Sequence, residues 1–293
     1  MRCPRCLLVQ PDGQPYCIQC AMPFPGRMEV IPDEELPVGP IAVSRAGWRA
    51  VAIGAGVALP VVALPFFGLL MLLLHPLLTI VHELGHTAFA WLFGYPTIPA
   101  FDFVYGGGIA ISTGRQTGLL ILIYVIFAGL FYYYRANRLT LGVLGGLVVL
   151  HALFAFTRWH ELPILFMGHG VELTFCTIFL YRAISGTSLV HEFERPIYGF
   201  LGFFIQFYDV KFAFQLMTSR EHQQLYGDAK GGGHWMDFSR ISNEFFHGQF
   251  VPVVLFFFLC CFLPPVLAFC LHRFRNAVFG VAERLLDPRP DAV

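Results

Sequence analysis

His82 and His86 stand four residues apart in the run His82-Glu83-Leu84-Gly85-His86. On a helix, positions i and i+4 share a face, so the two imidazoles can grip one zinc ion. Glu83 projects to the side of that ion. There it can take a proton from a water activated by the metal and pass it to a leaving amine. The chemistry is hydrolysis of an amide. A catalytic zinc takes three protein ligands and keeps a fourth position open, so a third ligand must come from another part of the chain. His151, His169, Glu172, Asp209 and Asp102 are the candidates. His169 leads, because it lies between two glycines in LFMGHGVELTF, with Glu172 one turn later. Either of these two can ligate while the other acts from behind it.

A second constellation opens the chain. Cys3 and Cys6, then Cys17 and Cys20, form two Cys-x-x-Cys pairs separated by ten residues, with the turn sequence Pro11-Asp12-Gly13 between them. Two such pairs complete a tetrahedral four-cysteine zinc site. With every position filled, that zinc is structural. The alternative is a pair of disulfides. The first 48 residues contain no apolar run, so no cleavable signal peptide is expected. A reducing compartment then favours metal thiolates over disulfides. Cys176, Cys260, Cys261 and Cys270 lie in apolar segments and read as packing residues.

The elements that must position these groups are unusually apolar. Of 293 residues, 56% are hydrophobic and 13% charged, against roughly 25% charged in soluble domains. Mean hydropathy is +0.64. Net charge is zero, which gives no footprint for a nucleic-acid partner. Residues 50–74, 116–134, 139–157 and 251–271 carry no charge, and 76–94, 162–181 and 196–217 are apolar around one or two ionisable groups. About 20 apolar residues cross the hydrocarbon of a bilayer. The expected fold is an all-α polytopic membrane protein of six to seven transmembrane helices. A very short turn at His75-Pro76 would separate the first two spans. The expected divisions are a zinc ribbon at 1–24, a proline-rich linker at 25–48, a membrane domain at 49–272 and a tail at 273–293. The zinc head is expected on the cytoplasmic side, although the arginines of the loops divide between two orientations. In the longest polar loop, 218–250, WMDFSRISNEFF has apolar residues near helical spacing. It reads equally as an interfacial or gating helix and as a helix packed on the bundle. His234 in the same loop is a weak ligand candidate.

Taken together, HELGH within a transmembrane segment, the glycine-rich stretch GYPTIPAFDFVYGGGIAISTGRQ after it and a polar position in a later span resemble the site-2 protease family of intramembrane zinc metalloproteases. The resemblance covers about residues 70–185. It implies a short β-hairpin after the motif helix, zinc as cofactor, Glu83 as general base and then general acid, and a membrane-spanning segment of another protein as substrate. The hairpin would add a strand to the unwound substrate. The family usually draws an aspartate ligand from a Leu-Asp-Gly motif. No such motif is present, and Met-Gly-His-Gly at 167–170 is its nearest equivalent in order. Two other readings stay open. One is a metal or proton transporter whose path is lined by His82, His86, His169, Glu172 and Asp209. The other is a membrane scaffold with a vestigial site. Nothing in the sequence sets an oligomeric state.

Overall fold

A computed structural model describes residues 40–104, 107–229 and 236–288. The four-cysteine head (Cys3, Cys6, Cys17, Cys20), most of the proline-rich linker and His234 lie outside the described residues. The rest is helical apart from one hairpin. In order come α1 (Arg45–Ala63), α2 (Gly68–Leu92), β1 (Thr97–Phe101), β2 (Gly108–Ser112), α3 (Thr117–Tyr133), α4 (Arg138–Ala155) and α5 (Glu161–Ser185). They are followed by α6 (Glu194–Thr218), α7 (Arg220–Asp228), α8 (Asp237–Phe245), α9 (Phe250–Cys260), α10 (Leu263–Arg273) and α11 (Arg275–Leu286).

Among the described residues, five helices are long and apolar enough to cross a membrane: Arg45–Ala63, Pro65–Leu92, Arg138–Ala155, Arg158–Ser185 and Phe250–Arg273. α3 is equally apolar but has 17 residues. α6 has 25 residues and a more polar composition. The seven apolar segments of the sequence are thus helical almost throughout, although 50–74 is divided between α1 and α2 and 251–271 between α9 and α10.

The expected turn at His75-Pro76 is not there. α2 runs straight through it, with Pro76 inside the helix, and the Thr79 hydroxyl donates to the His75 carbonyl at 2.9 Å. The chain breaks earlier, at Leu64, which is extended (φ −101°, ψ 130°) and precedes Pro65. Proline disfavours the α conformation in the residue before it. α1 starts on Ser44, whose side chain accepts from the Gly47 amide. α5 stops on Gly186 at φ +70°, a left-handed cap that favours glycine.

α1, α2, α5, α6 and α10 form the main bundle, and α9 packs on α6. Its first core brings together Ala58, Val61, Leu78, Leu180, Phe204 and Ala268. α1 and α6 cross backbone to backbone at Gly54 and Gly199, where a methyl on either glycine would strike the other helix. Small residues allow this approach in bilayers, where dispersion contacts rather than water exclusion hold helices together. A second core, with Leu165, Leu216, Tyr226, Phe238, Ile241 and Phe257, fastens the loop helix α8 to α5, α6 and α9. Leu69, Leu72 and Leu73 of α2 and Ile121 and Leu122 of α3 point outward and are exposed. An outward leucine face is a liability in water and is matched to lipid.

Candidate metal centre

The motif lies on the last turns of α2, with Glu83 and His86 buried. α5 crosses this segment at very short range. A methyl on Gly85 would strike the carbonyl of Met167, and one on Gly168 would run into the rings of both His82 and His86. Gly85 thus sits at the helix crossing. Gly168 leaves the bare strip under the imidazoles.

The two rings meet edge to face, 4.6 Å apart at their centres, and their Nε2 atoms are 2.9 Å apart. Asp237, the first residue of α8, brings Oδ2 to 3.1 Å from His82 Nε2 and 3.2 Å from His86 Nε2. Behind the rings, His86 Nδ1 donates to the Ile164 carbonyl at 2.7 Å. His82 Nδ1 faces Glu172 Oε1 at 3.4 Å. With both Nδ1 atoms turned to acceptors, each Nε2 carries its lone pair toward the other and toward Asp237. Three electron-pair donors converge on one point, an arrangement that calls for a cation. Ligands about 2.0–2.2 Å from a tetrahedral zinc stand roughly 3.3 Å from one another. The observed edges of 2.9, 3.1 and 3.2 Å fit that figure. Burial alone pushes the Asp237 carboxyl up in pKa. Where the two rings are protonated instead, the charge and hydrogen bonds of His86 and His82 overcome this and hold it well below the usual carboxylate range.

Asp237 was missed from the sequence. It is far from the motif, no spacing rule connects them, and only its place at the start of an amphipathic loop helix could have drawn notice. α8 itself is packed on the bundle, with Phe238 and Ile241 buried, as one of the two readings of this loop had it.

The other candidates are distributed differently. His169 comes within 4.8 Å of the ligand atoms of His82 and Asp237. However, its Nδ1 pairs with Glu172 Oε2 at 2.7 Å, and its ring stacks on Phe238. His82, His86 and Asp237 thus form one set, with edges of 2.9, 3.1 and 3.2 Å, and His82, His169 and Asp237 form another within 4.8 Å. Glu172 stands behind both His82 and His169. Asp209 belongs with His169 and Glu172 in a deeper group. His151 is a structural lock: it bonds the Leu92 carbonyl at 2.8 Å and the Tyr124 hydroxyl at 3.1 Å. Asp102 caps the hairpin, accepting from the Val104 amide.

Glu83 offers a carboxylate oxygen within 4.8 Å of the ligand nitrogens of His82 and His86. Its side chain packs on Gly108 at the start of β2, where a methyl would displace it. The hairpin is held to the end of α2 by Trp91 Nε1, which donates to the Thr97 carbonyl at 2.7 Å, and by the Gln116 amide, which donates to Gly94 at 2.7 Å. The register Thr97↔Ser112 through Phe101↔Gly108, closed by Asp102 N to Gly107 O, turns the backbone groups of Ile109 and Ile111 toward β1. Those of Ala110 and Ser112 face the outer edge. The outer edge of β1 carries Pro99, which has no amide hydrogen to offer. A cavity of about 900 Å³ joins the parts, lined by His82, Glu83, His86, Asp237 and residues of β2 that include Ala110 and Ser112.

No protein-family model, no curated protein and no solved structure matches this chain.

Proposed function

We propose that the chain is a zinc-dependent intramembrane endopeptidase of the site-2 protease type. The observation that carries this reading is the His82–His86–Asp237 triangle, with Glu83 beside it and an open strand edge in the same cavity. His82, His86 and Asp237 would hold the zinc, which supplies Lewis acidity toward a peptide carbonyl and a water. Ile164 and Glu172, acting on the two Nδ1 atoms, fix the tautomers and aim the rings. Glu83 takes the proton of the attacking water and returns it to the leaving amine. The Ala110–Ser112 edge pairs with an extended substrate backbone, whose polar groups have no other partner inside a bilayer. The substrate is accordingly a transmembrane segment that unwinds locally. α3 and α6 complete seven membrane-embedded helices. Cys3, Cys6, Cys17 and Cys20 hold a separate structural zinc.

The transporter reading accounts for buried ionisable groups, but it has no use for Glu83 packed between the metal ligands and a strand. The test is cleavage of a set of transmembrane peptides in liposomes by the purified full chain. Cleavage that stops when zinc is chelated and returns when zinc is restored is the expected result. Cleavage indifferent to zinc, or none by the zinc-loaded chain across the set, would rule the proposal out.

A further inference from the structure

We propose a second divalent-cation site, formed by His169, Glu172 and Asp209, on the inner wall of the same cavity. One ligand atom from each lies within 4.8 Å of the others, and all three side chains are buried. His169 Nδ1 and Glu172 Oε2 are joined by a 2.7 Å hydrogen bond, which an ion between them would open to the roughly 3.3 Å that separates two of its ligands. The donors are fixed by packing. The His169 ring lies between Phe238, stacked at 4.8 Å with planes 9° apart, and Phe257 at 4.5 Å.

Asp209 supplies an independent observation. It is 1% exposed, it lines the cavity, and its Oδ2 has no hydrogen-bond partner among the described residues. A buried carboxylate oxygen left without a partner is costly, and more so within a bilayer. Lys211, two residues on along α6, does not answer it, because its amine donates to the Val62 carbonyl at 2.8 Å. Among the described residues neither Glu172 nor Asp209 pairs with a lysine or arginine. Two carboxylates with no fixed basic counter-charge are balanced by one divalent ion. An imidazole with two carboxylates suits zinc or manganese, and zinc binds such sets the more tightly of the two, which makes it the proper probe. Glu172 links the two centres, Oε1 toward His82 and Oε2 toward His169. An ion at the second site would hold Glu172 in place behind the first.

The experiment is anomalous scattering at the zinc edge from crystals of the full chain supplied with zinc. A zinc peak among His169, Glu172 and Asp209 is expected. In solution, Asp209→Asn, which keeps the shape of the side chain, is expected to lower bound zinc by one equivalent per chain. Clear density for the three side chains at saturating zinc with no peak between them would overturn the site, as would full wild-type stoichiometry in folded Asp209→Asn. A peak here with none at His82–His86–Asp237 would uphold this site while refuting the peptidase reading. The reverse pattern would refute only this site.

Discussion

A single oxygen, Oδ2 of Asp237, ties the two imidazoles of α2 to a helix 155 residues further along the chain. Removing a metal ligand costs more than removing a group behind one, which typically costs 10- to 100-fold in affinity. Asp237→Ala is therefore expected to weaken zinc binding at the triangle by more than about 100-fold, measured by competition with a chelating dye. Unchanged affinity would return the third-ligand role to His169. The two histidines and Glu83 were legible in the sequence because helix geometry alone fixes which residues share a face. Asp237 beside them was not. It comes from another element, and only folding decides which of several buried acids arrives. His169 drew notice for its flanking glycines, yet Gly168 serves to make room for the His82 and His86 rings.

At the scale of elements, α8 and the hairpin each have two duties. α8 is short, and its hold on the bundle depends on Phe238, which is fully buried against His169 and Phe257. Phe238→Ala is expected to cost about 3–5 kcal/mol of stability and to weaken zinc binding as well, since Asp237 is the adjacent residue. Chemical unfolding in detergent and zinc titration of the same sample check both effects. The hairpin packs on Glu83 through Gly108 and presents its edge through Ala110. Ala110→Pro removes an edge donor and leaves the bonds to β1 intact, because Ala110 does not face that strand. One lost backbone hydrogen bond predicts a fall in cleavage of about tenfold with zinc content unchanged. Full activity in this variant would exclude strand pairing at that edge. The apolar segments were readable from composition, and the hairpin was expected from the family resemblance that the glycine-rich stretch helps to carry. The break at Leu64 was not, because residues 50–94 are apolar almost throughout and contain three prolines, of which Pro65 stops a helix while Pro60 and Pro76 lie within helices. In a bilayer, neighbouring groups decide whether a proline interrupts a helix.

On the scale of the whole molecule, the outward leucines of α2 and α3 and five helices of spanning length describe a protein held in lipid. The chain is expected to stay with the membrane pellet after extraction at alkaline pH, where a peripherally attached protein is released. Within that bundle, polar groups are concentrated where α2, α5, α6 and α8 meet, next to one cavity and one open strand edge. We propose that these groups are gathered there to hydrolyse a peptide bond, with Glu83 moving the proton. The most direct test is cleavage of a transmembrane peptide by Glu83→Gln, with zinc measured in the same preparation. Glu83→Gln keeps the shape of the side chain and removes the base. Wild-type zinc and a rate at least about 100-fold lower, the lower end of what a general base contributes, are expected. Wild-type zinc with cleavage within a few-fold of wild type would contradict the proposal.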